Sequence, residues 1–387
     1  MNYHPFYKML PDLTYWPVNW ADGMKITRSH LLGNDNAFRD ATRDVGGMLL
    51  SPLNYGLLPP APGKDSPLAL TCDGQELILS LCRAVTPGGV RIELDAAHSP
   101  LRLALSTARD EWMRLGQSVG YAVVDVNPFE PQPWGQPNPD EVPLRYPFTT
   151  PSYRLGAVPQ SVLSSSVSAA FHLPVGRLTL ANGLFSLAPD YLPPCRMVGV
   201  FPTMQQQYLT IGSRMGEIAG LATAIIVRVR TNARSGQANL LANTIGYLAE
   251  ATVRTLADNL DAYQLRGGCE SPVFIAEFGM RFARALTLMI RSTPDREKEA
   301  MFNYVKNWCG VSPVQFESAL QEVLDADYAH ADCQPMFASI IRLSDVVIAL
   351  YGKLSQLNYV EKDKDEFFVD RQEAPAAKTG SKGRFWG

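Results

Sequence analysis

The chain has 387 residues, 46% hydrophobic and 10% aromatic, about twice the length of a typical domain and enough to bury more than one core. Its 35 Lys and Arg against 38 Asp and Glu leave a formal net charge of −3, so no overall field draws a polyanion and nucleic acid is not an expected partner. The six cysteines, Cys72, Cys82, Cys195, Cys269, Cys309 and Cys333, lack the two-residue spacing of a zinc knuckle or redox motif, and read as reduced, buried thiols of a cytoplasmic protein.

The first sixteen residues, Met1 to Trp16, lack the basic segment and unbroken apolar core of a secretory signal. From Leu68 to about Phe201 the pattern favours strands. Leu77, Leu79, Leu81 and Ala84 sit largely out of phase with polar neighbours, and Thr86-Pro87-Gly88-Gly89 leads into Val90, Ile92 and Leu94, which predicts a hairpin. Further strands are expected at Leu101 to Leu105, Tyr121 to Val126, Tyr153 to Leu155, Val167 to Leu173, Arg177 to Leu180 and Leu184 to Leu187. Many short strands between turn residues, with no helical segments among them, argue for an antiparallel sandwich and against a doubly wound sheet. The stretch Asn127 to Pro151 holds eight prolines beside Phe129, Trp134, Tyr146 and Phe148. That is too many breakers for an element and too many aromatics for an inert linker, so it is expected as a long ordered loop or arm that docks on something.

After Pro193-Pro194 the period becomes helical. Ile211, Met215, Ile218, Ala222, Ile225 and Val229 form one stripe, and Ile275, Phe278, Phe282, Ala285 and Met289 another. Between them a helix is expected over Leu240 to Leu260, stopped at Arg266-Gly267-Gly268, with a new start at Ser271-Pro272. Two shorter helices follow, Asp295 to Trp308 and Pro313 to Leu324, the second capped by Ser312. Met336, Ile340, Leu343, Val347, Leu350, Leu354 and Leu357 lie on an unbroken heptad stripe, which suits either an intramolecular bundle seam or an oligomer interface. The apolar run near Leu221 to Val229, broken by Thr223 and Arg228, is far short of the roughly 20 residues a bilayer demands, so no membrane insertion is expected. The division is therefore residues 1–194 as a β-sandwich with a proline-rich arm, 195–360 as a helical bundle, and 361–387 as a charged flexible tail. Arg384, Phe385 and Trp386 end that tail with residue types that anchor interfaces, or with a frayed terminus.

Chemistry is thin along this chain. Asp325, Asp327, His330, Asp332 and Cys333 fall within nine residues and contain metal-ligand types, but a turn with carboxylate caps for the helix starting near Asp332 explains the same letters more simply. Asp95, His98 and Ser99 have the types of a hydrolytic triad, yet residues this close in sequence rarely converge as one, and no nucleophile elbow is present. Gly46-Gly47 and Gly88-Gly89 are turn glycines and not phosphate loops. His4, His30 and His172 are isolated and read as structural. No catalytic residue, metal or cofactor is expected. For partner binding the candidates are Trp16, Trp20, Met24, Phe129, Trp134, Tyr146, Phe385 and Trp386, large apolar groups in segments without predicted regular structure; packing on their own sandwich is the competing reading.

Motifs spread along the chain add a resemblance. Trp20 to Met24 followed by Ser29-His30-Leu31 and Asn34-Asp35, then Tyr55-Gly56-Leu57, then Tyr191-Leu-Pro-Pro-Cys195, and finally Tyr328, His330 and Asp332 resemble, in order, motifs of the TssK family of type VI secretion baseplate subunits. The resemblance implies a non-enzymatic homotrimer in which a β-sandwich shoulder like that of phage receptor-binding proteins joins a helical neck. It implies TssF- and TssG-like wedge proteins and a membrane-complex component as partners, on the cytoplasmic side of the inner membrane. The family's C-terminal head is expected to be missing, since about 30 residues follow the last helix, and the tail with Phe367, Phe368, Phe385 and Trp386 is expected in its place. A phage tail or other contractile-injection component is the alternative.

Overall fold

The computed structural model describes residues 11–95, 98–163, 169–235 and 239–359. The tail residues Phe367, Phe368, Phe385 and Trp386 lie outside them.

The expected hairpin is present, and it is the centre of the first sheet. After helix α1 (Arg28–Met48) and the short β1 (Gly56–Leu57) come β2 (Leu68–Cys72), β3 (Glu76–Val85), β4 (Arg91–Leu94) and β5 (Leu101–Ala104). All of β1, β2, β4 and β5 pair antiparallel with β3. The pairing of β2 with β3 slips between Ala69 and Leu70, where Ser80 is passed over. That bulge shifts the side-chain phase, so the buried residues of β3 are Leu77, Leu79, Cys82 and Ala84, with Leu81 only half-buried.

A helix, α2 (Ser106–Arg114), separates the sheets, contrary to the expectation of uninterrupted strands. It buries a single residue, Trp112, whose ring packs edge-on against Phe185 at 4.9 Å. The second sheet has the order β7-β6-β8-β9, all antiparallel, from β6 (Val119–Trp134), β7 (Phe148–Pro159), β8 (His172–Ala181) and β9 (Leu184–Leu187). A short helix α3 (Gln160–Leu163) follows β7. Residues Ala169–Phe171, expected as the start of a strand, form a 3-10 turn instead. Asn182 and Gly183, with φ of 52 and 77°, turn β8 into β9, the backbone that Asn-Gly adopts most readily. The two sheets face each other, and leucine side chains fill the gap. A Cβ on Gly176 of β8 would come within 2.6 Å of the Leu70 side-chain tip in β2, so the leucines between the layers would have to shift to admit a larger residue there.

The proline-rich arm departs most from expectation. Its two ends are strand: Trp134 pairs with Phe148, Pro133 with Thr149 and Gln132 with Thr150. Between those pairs and Asn127↔Ser152, residues 128–131 face Pro151 alone, a wide bulge. Prolines cannot donate to a ladder, and the bulge accommodates Pro128, Pro131 and Pro151, while Pro133 stays paired with Thr149.

The helical half starts at Pro202, a first-turn position where a missing N–H costs nothing. It comprises α4 (Pro202–Arg234), α5 (Leu240–Arg266), α6 (Val273–Ser292), α7 (Asp295–Trp308), α8 (Pro313–Asp325) and α9 (Gln334–Leu354). Asn239 and Ser312 cap α5 and α8 through bonds from the amides of Ala242 and Gln315. The stripe on α4 is buried from Met204 to Ile225. On α6 the last turns rotate by one position, burying Leu286 and Ile290 where Ala285 and Met289 were expected. Met336, Ile340, Leu343, Val347, Leu350 and Leu354 of α9 are buried within this chain against α4, α6 and α8, and Leu357 packs half-buried beyond the helix end. The heptad stripe is thus a bundle seam. A Cβ on Gly279 of α6 would run into the Ile340 side chain, so α6 and α9 pack closely at that point. By length and composition α4 and α9 are each apolar enough to cross a membrane, but α9 spends its apolar residues in the core.

Candidate functional site

A set of residues with special demands gathers where sandwich and bundle meet. Gly56 has φ of +113°, and a Cβ there would lie 2.0 Å from the Pro194 carbonyl oxygen. No other residue type fits both demands. The close approach lets Leu57 donate its N–H to Pro194 O at 2.8 Å and accept from Arg196 N at 2.9 Å, a two-bond parallel clasp between β1 and the segment leading to the bundle.

His330, in the turn between α8 and α9, lies against Tyr55 with ring centroids 4.8 Å apart. Its Nε2 is 2.8 Å from the Tyr55 carbonyl, which can only accept, so Nε2 carries the proton. Nδ1 then accepts from the Tyr328 hydroxyl at 2.8 Å. Burial pushes the imidazole pKa down to about 4, since the charged form would lose its solvation in the joint, and the bond to Tyr55 offsets only part of that. Both ring nitrogens are committed to the protein, so the histidine of the Asp325 to Cys333 cluster works as a neutral tether.

The neighbouring residues complete the clamp. Tyr191 donates to the Ala331 carbonyl at 2.7 Å, and Cys333 donates its N–H to Leu192 O at 3.3 Å. Arg177, on β8, bridges Asp332 at 2.8 Å and Asp190 at 2.6 Å. Burial raises the Asp332 carboxyl pKa, and the Arg177 guanidinium pulls against that rise. Asp332 also accepts from the Gln334 amide at 3.2 Å from one residue ahead of the N-cap position, which is Cys333 and carries no side-chain cap, in place of the carboxylate cap expected there. On the far side, Ser271 donates to the Leu53 carbonyl and Val198 N–H to Glu270 O at 2.9 Å, tying the α5–α6 turn to the same linker. The Arg177 ion pairs and the Ser271 tie had no signature in the sequence: their partners stand up to 218 positions apart and no local pattern links them. The buried thiols Cys82 and Cys333 are pushed up to about 12 by burial, away from thiolate chemistry.

The remaining candidates are scattered. His98 bonds Asp95 at 2.9 Å and stacks on Trp134 with centroids 5.3 Å apart, so those two supposed triad members brace the arm, while Ser99 is exposed. Trp134 is half-buried by that contact. Phe129 is half-buried too, 4.6 Å from the ring of Tyr15. Trp16 is 72% exposed, Trp20 and Tyr146 are about half exposed, and Met24 is partly covered. Near Trp20, His30 sits in the first turn of α1, where its Nδ1 accepts from the Thr27 amide at 3.3 Å. His172 lies 3.3 Å from Asp125. Phe385 and Trp386 fall outside the described residues.

What fold and joint define is a two-part scaffold: a β-sandwich clamped to a helical bundle by buried polar contacts that are used up in the clamping. No family model matches the sequence, and no curated protein does. The chain is similar to solved structures of TssK-containing assemblies. One is the baseplate complex from the type VI secretion system (15% identity, TM-score 0.47, covering 86% of this chain and 99% of that one). Another is the TssK-TssF-TssG baseplate subcomplex (14%, 0.45, 86% and 99%). A third is TssK of the EAEC system bound to a nanobody (15%, 0.44, 80% and 96%). At these scores the likeness is one of layout, and no residue is matched across it.

Proposed function

We propose that the chain is a structural, non-enzymatic adaptor of a type VI secretion baseplate: a homotrimer on the cytoplasmic side of the inner membrane that joins a TssF- and TssG-like wedge to a membrane-anchored component. One observation carries this reading. Three of the stretches that resemble TssK motifs, around Tyr55, Tyr191 to Cys195, and Tyr328 to Asp332, are spread over 275 positions yet meet in one joint through direct bonds. Chance likeness in three separate segments gives no reason for them to touch. A joint of this kind suits a protein that transmits position between partners, because it holds two bodies at one angle.

In this reading residues 1–194 form the wedge-binding shoulder, 195–360 the neck, and 361–387 a tail that contacts the membrane side. Trp16, Trp20 and Tyr146 are its exposed anchors. The trimer forms through α4, whose outward side carries Leu209, Ser213, Gly216, Gly220 and Val227; added Cβ atoms on both glycines would meet nothing within 4 Å. Small residues there allow a neighbouring helix to approach closely. Light scattering on the purified chain, alone and mixed with the TssF- and TssG-like products of the same gene cluster, tests the proposal. A trimer that co-elutes with them is expected; a monomer that ignores them would sink it.

A further inference from the structure

Away from the joint, the structure holds a groove with no assigned role. It has a volume of about 410 Å³, within the range of small-ligand and short-peptide clefts, and runs between α1 and the bulged ribbon of β6 and β7. Phe38, Arg39 and Arg43 line its helix side, Arg91 its end, and Pro128, Pro131 and Pro151 its floor.

The hydrogen-bonding character of this groove is one-sided. The floor prolines have no N–H, and the bulge leaves residues 128–131 without a strand partner other than Pro151. Its strong donors are therefore the three guanidinium groups, and no Asp or Glu is among the lining residues. Two nearby acids, Asp40 and Glu93, are already engaged. Asp40 pairs with Arg43 at 2.6 Å and accepts from the Thr14 and Tyr15 amides, and Glu93 pairs with Arg91 and Arg83. Arg39 bonds only the Asn36 side chain at 3.1 Å and makes no ion pair among the described residues. Arg43 is 3% exposed, and its Nη1 has no partner among the described residues although Nε and Nη2 both do. A buried guanidinium nitrogen without an acceptor is costly, and the groove beside it is where an acceptor can come from.

We propose that this groove binds an extended acidic peptide segment of a partner protein, with carboxylates on Arg39 and Arg43 and the peptide backbone laid along the proline floor. Planar guanidinium groups match carboxylates bidentately, and exposed Phe38 with the prolines gives apolar contact to the side chains between them. The inference is independent of the secretion reading, because it stands on the donor imbalance of the groove alone.

The test is fluorescence anisotropy on the full chain with a labelled octapeptide of alternating Glu and Pro, and its Gln-Pro counterpart. The expected result is saturable binding of the Glu peptide only, weakened at least about tenfold by Arg39→Glu. Arg43 is left intact, since its removal would strip Asp40 of its partner. Arg254→Glu, an equal charge change on an exposed position of α5, is expected to leave binding unchanged. Absent saturation, equal binding of the Gln peptide, or equal weakening by Arg254→Glu would each overturn the proposal. So would an oligothymidylate that binds more tightly than the Glu peptide and is lost with Arg39→Glu, which would make the groove a nucleic-acid site.

Discussion

His330 is a base kept neutral inside a joint, and that gives it a signed effect on stability. Its pKa falls from 6.5 in the unfolded chain to about 4 in the fold, so the unfolded state binds the extra proton between those values. Its stabilising contribution is complete above pH 6.5 and is lost as pH falls toward 4, by about 3 kcal/mol at the limit. Asp332, with its raised carboxyl pKa, acts in the opposite direction at the acid end. The diagnostic is therefore the difference between the wild type and His330→Gln in urea unfolding at pH 7, 6 and 5. The wild type is expected to start more stable and to lose its advantage as the pH drops, and parallel curves would refute the assignment. Gly56 makes a sharper case. Gly56→Ala places a methyl group against the Pro194 carbonyl at a φ that disfavours it and should cost at least about 2 kcal/mol. Gly63→Ala, at φ of +77° but in open space, should cost about 1 kcal/mol, so thermal melts of the pair separate contact from backbone strain.

At the scale of elements, the helices that escaped sequence reading are those that bury polar or single residues. The buried face of α1 is Ala37, Asp40, Arg43 and Gly47, an ion pair flanked by small residues, so apolar periodicity has nothing to register. α2 presents Trp112 alone. By contrast α8 was legible nearly to its ends from the Ser312 cap and the Pro313 start, and α9 from its apolar stripe. The arm differs from its expected loop for a related reason: proline content argues against strands in general, but a bulge takes Pro128, Pro131 and Pro151 out of the ladder and leaves the ends free to pair. In the joint, the letters of the Tyr328 to Asp332 cluster were visible, while their partners Tyr55, Arg177 and Tyr191 are brought to it by tertiary folding, which no local pattern encodes. Caps behave additively, and they allow a comparison. Ser312→Ala should remove about 1 kcal/mol through one lost bond. Asn239→Ala should remove more, up to about 2 kcal/mol, because its Nδ2 also donates to the Tyr359 carbonyl at 2.7 Å. Chemical denaturation reads both, and equal losses would mean that the Tyr359 contact adds nothing.

For the whole molecule, burial is lopsided in a way that bears on assembly. Helix α9 hides its apolar face in the bundle, whereas α4, somewhat less apolar, leaves one side open from Leu209 to Val227. An exposed side with glycine at 216 and 220 costs helix stability without improving the monomer's packing, since each Gly is worse than Ala by about 1 kcal/mol. Close approach of a second helix would recover that loss. Gly220→Glu discriminates between the two situations. In an isolated chain an added Cβ meets nothing within 4 Å and the position faces outward, so the variant should fold with equal or higher melting temperature. If three α4 helices meet about an axis, the same substitution places three carboxylates and their bulk in the contact, and the mass measured by light scattering should fall from three chains to one. A variant that remains trimeric would move the interface off α4. A variant that is monomeric and still melts like the wild type would show that the open side of α4 exists for assembly alone.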